Sequence, residues 1–217
     1  MHTSFLSESA DGAGRVLSRL TAGLAALRPA AKPLHPDGEL FSAQLVRAGS
    51  PLGSRAGVAW LDDAGSDEVL VRVSAAIGLP SPLPDISGLA LRVPGPGRRP
   101  ADILFASTGW DPVTRHLLVP ALRAGQPLTT LLPYRTCGGP LVLGARPDGD
   151  ACFELSWAYV GRGWHRFATL TLAESLVDDT GIAFDPVLHQ VAGLAQYPWV
   201  ARIRERSYAT ARASRTR

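Results

Sequence analysis

The sequence predicts a mainly β protein of the α+β class, an eight-stranded antiparallel β-barrel with flanking helices. Short β-rich runs recur through the middle of the chain, and turn residues separate them. The 22 glycines and 18 prolines among 217 residues supply those turns. Helical periodicity falls at the two ends. The chain shows no internal repeat and no domain linker, so residues 1–217 read as one domain. Closing eight short strands into a barrel removes the sheet edges and leaves room for one small ligand.

Residues 12–28 place Val16, Leu20, Leu24 and Leu27 at helical spacing and stop at Pro29, so residues 1–31 carry an N-terminal helix. Strands follow at Glu39–Val46, Ala56–Leu61 and Glu68–Ser74, the last two separated by the turn Asp62-Asp63-Ala64-Gly65. Gly88–Val93 and Ala101–Ser107 flank the loop Pro94-Gly95-Pro96-Gly97. Residues 112–124 look helical, and 128–139 give no clear signal. Leu141–Ala145, Cys152–Val160 and Trp164–Leu172 complete the strands, with Gly161-Arg162-Gly163 as a hairpin turn. Asp178–Leu194 is a loop. Residues 196–217 form a terminal helix with Pro198 in its first turn.

The composition excludes several classes. The net charge of +3 is mild, and six arginines from Arg202 to Arg217 account for more than all of it. Cys137 and Cys152 lack metal-ligand spacing; a disulfide between them is one reading, and a reduced, cytoplasmic protein is the simpler one. The N-terminus lacks the pattern of a signal peptide, and no run is long enough for a membrane span. Neither a Walker loop, a Gly-x-Ser-x-Gly elbow nor a Cys/His zinc motif is present.

Two stretches carry polar groups that invite a function. In 68–74, Val69, Val71 and Val73 form one face and Leu70, Arg72 and Ser74 the other. Arg72 and Ser74 either face water or, if the valines pack outward on a helix, face the barrel lumen. A guanidinium withdrawn from water requires an anion. On the terminal helix, Arg204 and Tyr208 are i, i+4 neighbours, and Arg215 returns to that face two turns on. An arginine one turn from a tyrosine favours the phenolate.

Six blocks, in order, resemble the catalase superfamily of haem proteins. They are Lys32-Pro-Leu-His35, Val71-Arg72-Val73-Ser74, Asp85-Ile-Ser-Gly88-Leu-Ala90-Leu-Arg92, Asp102-Ile-Leu, Ile182-Ala-Phe184-Asp-Pro186 with Val191-Ala-Gly193, and Arg204-Glu-Arg-Ser-Tyr208 with Arg215. The resemblance implies a barrel of catalase type that binds haem b, with Tyr208 as axial ligand to the iron and Arg204 keeping its phenol ionised. It implies that Lys32, Arg72 and Arg215 pair with the haem propionates and that Phe184 packs near the macrocycle. His35 would be the distal acid–base residue, oriented by Ser74. In the family an asparagine follows the Asp-Leu-Val block, and the matching position here is Ser107. That serine, and a chain shorter than classical catalases, point to a catalase-related peroxidase using hydrogen peroxide or organic hydroperoxides, with weak catalase activity. Its partners would be a small-molecule peroxide and a reductant, with no nucleic acid and no membrane, in a monomer or dimer. Alternatives are rearrangement of fatty-acid hydroperoxides, as allene oxide synthases perform, in a pocket lined by Leu34, Val73 and Phe184; a lipocalin-like barrel that binds haem without turnover; and an RNA-binding tail.

Overall fold

The computed structural model describes residues 38–51, 53–75, 86–95, 97, 99–121, 125–176, 182–202 and 204–205. All of them lie within one compact unit, Leu34–Arg217. The predicted N-terminal helix lies outside the described residues, as do Lys32, His35, Tyr208 and Arg215.

Among the described residues there are ten strands: β1 (Gly38–Arg47), β2 (Gly65–Ala75), β3 (Ser87–Pro94), β4 (Pro100–Ser107), β5 (Leu128–Thr129), β6 (Tyr134–Thr136), β7 (Gly139–Pro147), β8 (Cys152–Tyr159), β9 (His165–Leu176) and β10 (Ala195–Gln196). Pairing runs β7-β5-β4-β3-β2-β1-β9-β8, and a further β7–β8 ladder closes the ring. The result is the predicted eight-stranded antiparallel barrel. β6 continues the β7 edge beyond β5 and carries β10 on its far side. The break between β5 and β6 explains why 128–139 gives no clear strand signal. Leu131 there takes a positive φ of 60°, and Pro133 has no N–H to donate.

The barrel is filled by side chains from all its strands. Ala43, Leu45, Val69, Val71, Leu89, Leu91, Ile103, Phe105, Leu143, Leu155, Trp157 and Leu170 belong to one buried cluster. The valine face of β2 therefore points into the barrel. Arg72 and Ser74, which alternate with it, lie on the outer wall and not in the lumen. Alternation decides this, because Val69 and Val71 have strongly buried neighbours on every side that a guanidinium could not replace without an anion.

One predicted strand is not a strand. Ala56–Leu61 forms a turn and a short helix, Ala59–Asp62, and its place in the barrel is taken by β5. The Asp62 carboxylate turns back and accepts the backbone N–H groups of Ala56, Gly57 and Val58 at 2.7, 2.8 and 3.2 Å. Those donors are spent and cannot join a ladder. Gly57 takes the positive φ of 68° that the turn requires. Ala56, Val58 and Leu61 still reach the core, which is why the stretch reads as β in sequence. The predicted helix at 112–124 is likewise reduced to a 3-10 turn, Thr114–His116, among its described residues. Beyond that turn Leu118 bridges Thr108, and the Val119 N–H bonds the Ser107 carbonyl.

Burial alone would raise the Asp62 pKa, but the Ser50 hydroxyl and the three N–H groups outweigh it and hold the carboxyl below its ordinary value. Its contribution to stability is complete above the unfolded pKa of about 4 and is lost as pH falls through the lower folded value. Asp62→Asn is expected to cost about 2 kcal/mol at neutral pH. It should also flatten the fall of stability below about pH 4. Urea unfolding at pH 7 and at pH 3 measures both.

Candidate functional site on the outer wall of the first four strands

Directly opposed residues in an antiparallel sheet share a face. The registers of β1 to β4 therefore lay out the outer wall as three rows. The first is Gly38, Ser74, Gly88, Ala106; the second is Leu40, Arg72, Ala90, Leu104; the third is Ser42, Leu70, Arg92, Asp102. The first row is built wholly of small residues. It continues round the barrel through Thr129, Gly144 and Ser156. At Gly144 the small size has a visible use. The stacked Trp110–Trp164 pair, with ring centroids 4.3 Å apart, lies against it, and a Cβ would stand 2.7 Å from the Trp110 ring.

Arg72 and Ser74 are brought together as the sequence predicts. Gly38 makes room for them: a Cβ there would stand 2.6 Å from Arg72 Nε and 3.0 Å from Ser74 Cβ. The arginine stem thus leans across the glycine, beside Ser74. On the same face Leu40 is 1% exposed and Gly88 is buried.

The third row fixes a distant segment. Arg92 and Asp102 form a two-pronged ion pair, with both N–O distances 2.7 Å. The Asp102 side chain is fully buried and also accepts the Asp185 N–H at 2.7 Å, while His189 Nδ1 stands 2.9 Å away. Arg92 donates on to the Ala183 carbonyl, and its guanidinium lies 4.9 Å from the centre of the Phe184 ring. Phe184 is therefore held at the margin of the same wall. Sequence reasoning quoted Arg92, Asp102 and Asp185 within motifs but assigned them no role, and it passed over His189. The available signal was symmetry: Arg92 and Asp102 are equidistant from Gly97, the middle of the hairpin loop.

Ser107 is not brought to this wall. β4 alternates, so Ala101, Ile103, Phe105 and Ser107 point inward and Asp102, Leu104 and Ala106 outward. The Ser107 hydroxyl is committed on the inner side, accepting the Ser87 N–H at 3.1 Å and donating to the Val119 carbonyl at 2.7 Å. The β4 residue level with Ser74 is Ala106.

The terminal segment is helical at 198–202 and 204–205; it begins at Pro198, two residues later than predicted, because Gln196 pairs with Tyr134 in β10. Arg204 is half-buried and carries one guanidinium nitrogen, Nη1, that is buried without a hydrogen-bond partner. It stands by the Tyr134 hydroxyl. Burial raises the Tyr134 pKa, and the arginine charge only partly offsets that.

The wall offers a row of small residues, a cation beside it and an aromatic ring at its margin. That suits a planar ligand carrying an acid group. Among the described residues no group of three His, Cys, Asp or Glu side chains could hold a metal ion, and no helix is long and apolar enough to cross a membrane.

Breaking the Arg92–Asp102 pair from the acidic side leaves a guanidinium without its partner. Asp102→Ala is expected to destabilise the protein by about 3 kcal/mol and to release the 182–189 segment. Hydrogen exchange should quicken first at the Asp185 N–H.

No family model matches the chain, and no curated protein matches it. Among solved structures, a fungal catalase is similar, with a TM-score of 0.62 at 11% identity over 90% of this chain. The chain spans 61% of the length of that catalase. The likeness is one of fold.

Proposed function

We propose that the outer wall of β1–β4 binds haem b and that the protein is a peroxidase, reducing peroxides at the expense of a small-molecule reductant. One observation carries this reading: Arg72 leans over Gly38 beside Ser74, next to a row of small residues, on a barrel similar in fold to a catalase. The residues fit the group. A flat macrocycle needs a floor of small residues, and its carboxylates need cations at the rim. Gly38, Gly88, Ala90 and Ala106 provide the floor, and Arg72 provides one cation.

Bound haem would supply an iron able to accept an oxygen atom from a peroxide and hold its two oxidising equivalents. In this reading Arg215 would join Arg72 in neutralising the propionates. Arg204, four residues before Tyr208 in the sequence, would favour the ionised form of that phenol if the helix continues as the sequence predicts, so that it could serve as the iron ligand. The buried, unpartnered Nη1 of Arg204 supports this assignment, since it has a donor to spare. Phe184, held by Arg92, covers the macrocycle edge and excludes water. His35 takes the proton from the peroxide hydroxyl and returns it to the leaving oxygen, and Ser74 orients its ring by a hydrogen bond.

Titration of the purified protein with haemin is expected to give a saturable Soret band at one equivalent. Tyr208→Phe should weaken or abolish it. Arg72→Leu should weaken haemin binding by roughly ten-fold, and Gly38→Ala should act in the same direction by displacing Arg72. His35→Ala should bind haemin as wild type does but react with peroxide about 100-fold more slowly. A wild-type protein without a Soret band would sink the proposal. A His35→Ala variant as fast as wild type would reduce it to haem binding without this catalysis.

A further inference from the structure

We propose that His116 is an acid-sensitive latch on the β5 seam of the barrel, releasing the strap of residues 114–119 when its ring takes up a proton. The inference goes beyond the haem reading and holds whether or not haem binds. The strap lies along the ends of two strands. At β4, Leu118 bridges Thr108, the Val119 N–H bonds the Ser107 carbonyl, and the Ser107 hydroxyl donates to the Val119 carbonyl at 2.7 Å. At β5, the Thr129 hydroxyl donates to the Arg115 carbonyl at 2.6 Å. His116 makes a further attachment. Its Nδ1 lies 2.8 Å from the carbonyl oxygen of Leu131, the residue held at a φ of 60° just beyond β5.

This geometry selects the neutral ring. A carbonyl oxygen only accepts, so Nδ1 carries the proton and Nε2 is a bare lone pair. Nε2 is buried without a hydrogen-bond partner among the described residues, and His116 is 4% exposed. A second proton would create an N–H with no acceptor and a charge with no anion beside it. The charge that bears on the ring is the Arg115 guanidinium, itself fully buried. That guanidinium donates to the Asp111 and Arg162 carbonyls, lies over the Trp164 ring and leaves Nη1 without a partner. The exposed Asp111 carboxylate acts on Arg115. Leu128 to Pro133, with Leu141 to Ala145 on β7 and Ser107 and Thr108 by β4, hold no charged or titratable side chain. Burial, aided by Arg115, outweighs the Leu131 carbonyl and holds the His116 pKa below its ordinary value. The contribution of the neutral ring is therefore complete above about pH 6.5 and is lost as pH falls toward the lower folded value. Across that window the opened strap binds one more proton, so its population should rise about ten-fold per pH unit.

Hydrogen exchange at the Val119 and Leu131 N–H groups, corrected for the intrinsic rate at each pH, reads this opening from about pH 7.5 to about pH 5.5. Protection there should fall with pH while the β1–β2 ladder keeps its own. His116→Asn retains an N–H near the Nδ1 position and does not titrate, so it should remove the pH dependence. The imidazole nitrogen shifts of wild-type His116 need no variant, and at neutral pH they should report a proton on Nδ1. An Nε2–H ring at neutral pH overturns the inference. So does wild-type protection that stays level with pH, a fall shared equally by the β1–β2 ladder, or a His116→Asn protein with the pH dependence of wild type.

Discussion

The register of β1 to β4 is the constraint on which the rest of the wall depends. A slip of one residue along any of these ladders would turn Val69 and Val71 out of the barrel and bring Arg72 and Ser74 in. Two independent forces oppose it. Inside, the valines mesh with Leu89, Leu91 and Ile103 in the buried cluster, and exposing them would forfeit the transfer of that apolar surface from water. Outside, the Arg92–Asp102 pair crosses β3 and β4 at a single register. Core and ion pair ask for the same alignment, which is the consistency expected of a sequence that specifies one fold.

That ion pair does more than align two strands. A buried carboxylate is tolerable only when its lone pairs are used, and Asp102 uses them on Arg92, the Asp185 N–H and His189. Two of those partners come from a segment more than eighty residues further along the chain. The β3–β4 hairpin, formed by local pairing, thus carries the socket into which a late segment fits. Phe184 acquires a fixed place because its neighbours Ala183 and Asp185 are both bonded to the pair.

Much of this was legible in the sequence. The strand alternation, the Gly-rich turns and the barrel class follow from local chemistry that needs no partner. Ala56–Leu61 was misread because burial and β-propensity fit a strand, while the deciding contact comes from one carboxylate at the end of the stretch. β5 was missed because a strand of two residues has no periodicity to detect. The face of β2 stayed open because alternation reveals two faces but not which one the barrel encloses. Ser107 was chosen by motif position, and counting alternate residues along β4 from buried Phe105 puts Ala106, one place earlier, on the outer wall. The small residues of the first row carry no individual signal at all. Gly38, Gly88 and Ala106 come from three separate strands, and only pairing sets them side by side with Ser74.

β5 has a mechanical consequence. The ring of strands is as strong as its narrowest seam, and that seam is β5, with two residues against the ten of β1. Two rungs on each side join it to β4 and β7. Local opening should concentrate there, since few ladder bonds need to be broken. Ala106 stands beside this seam, paired with Thr129, whereas Arg72 stands beside the longest ladder of the barrel. The wall is thus graded in compliance, stiff beside the long β1–β2 ladder and yielding beside β5.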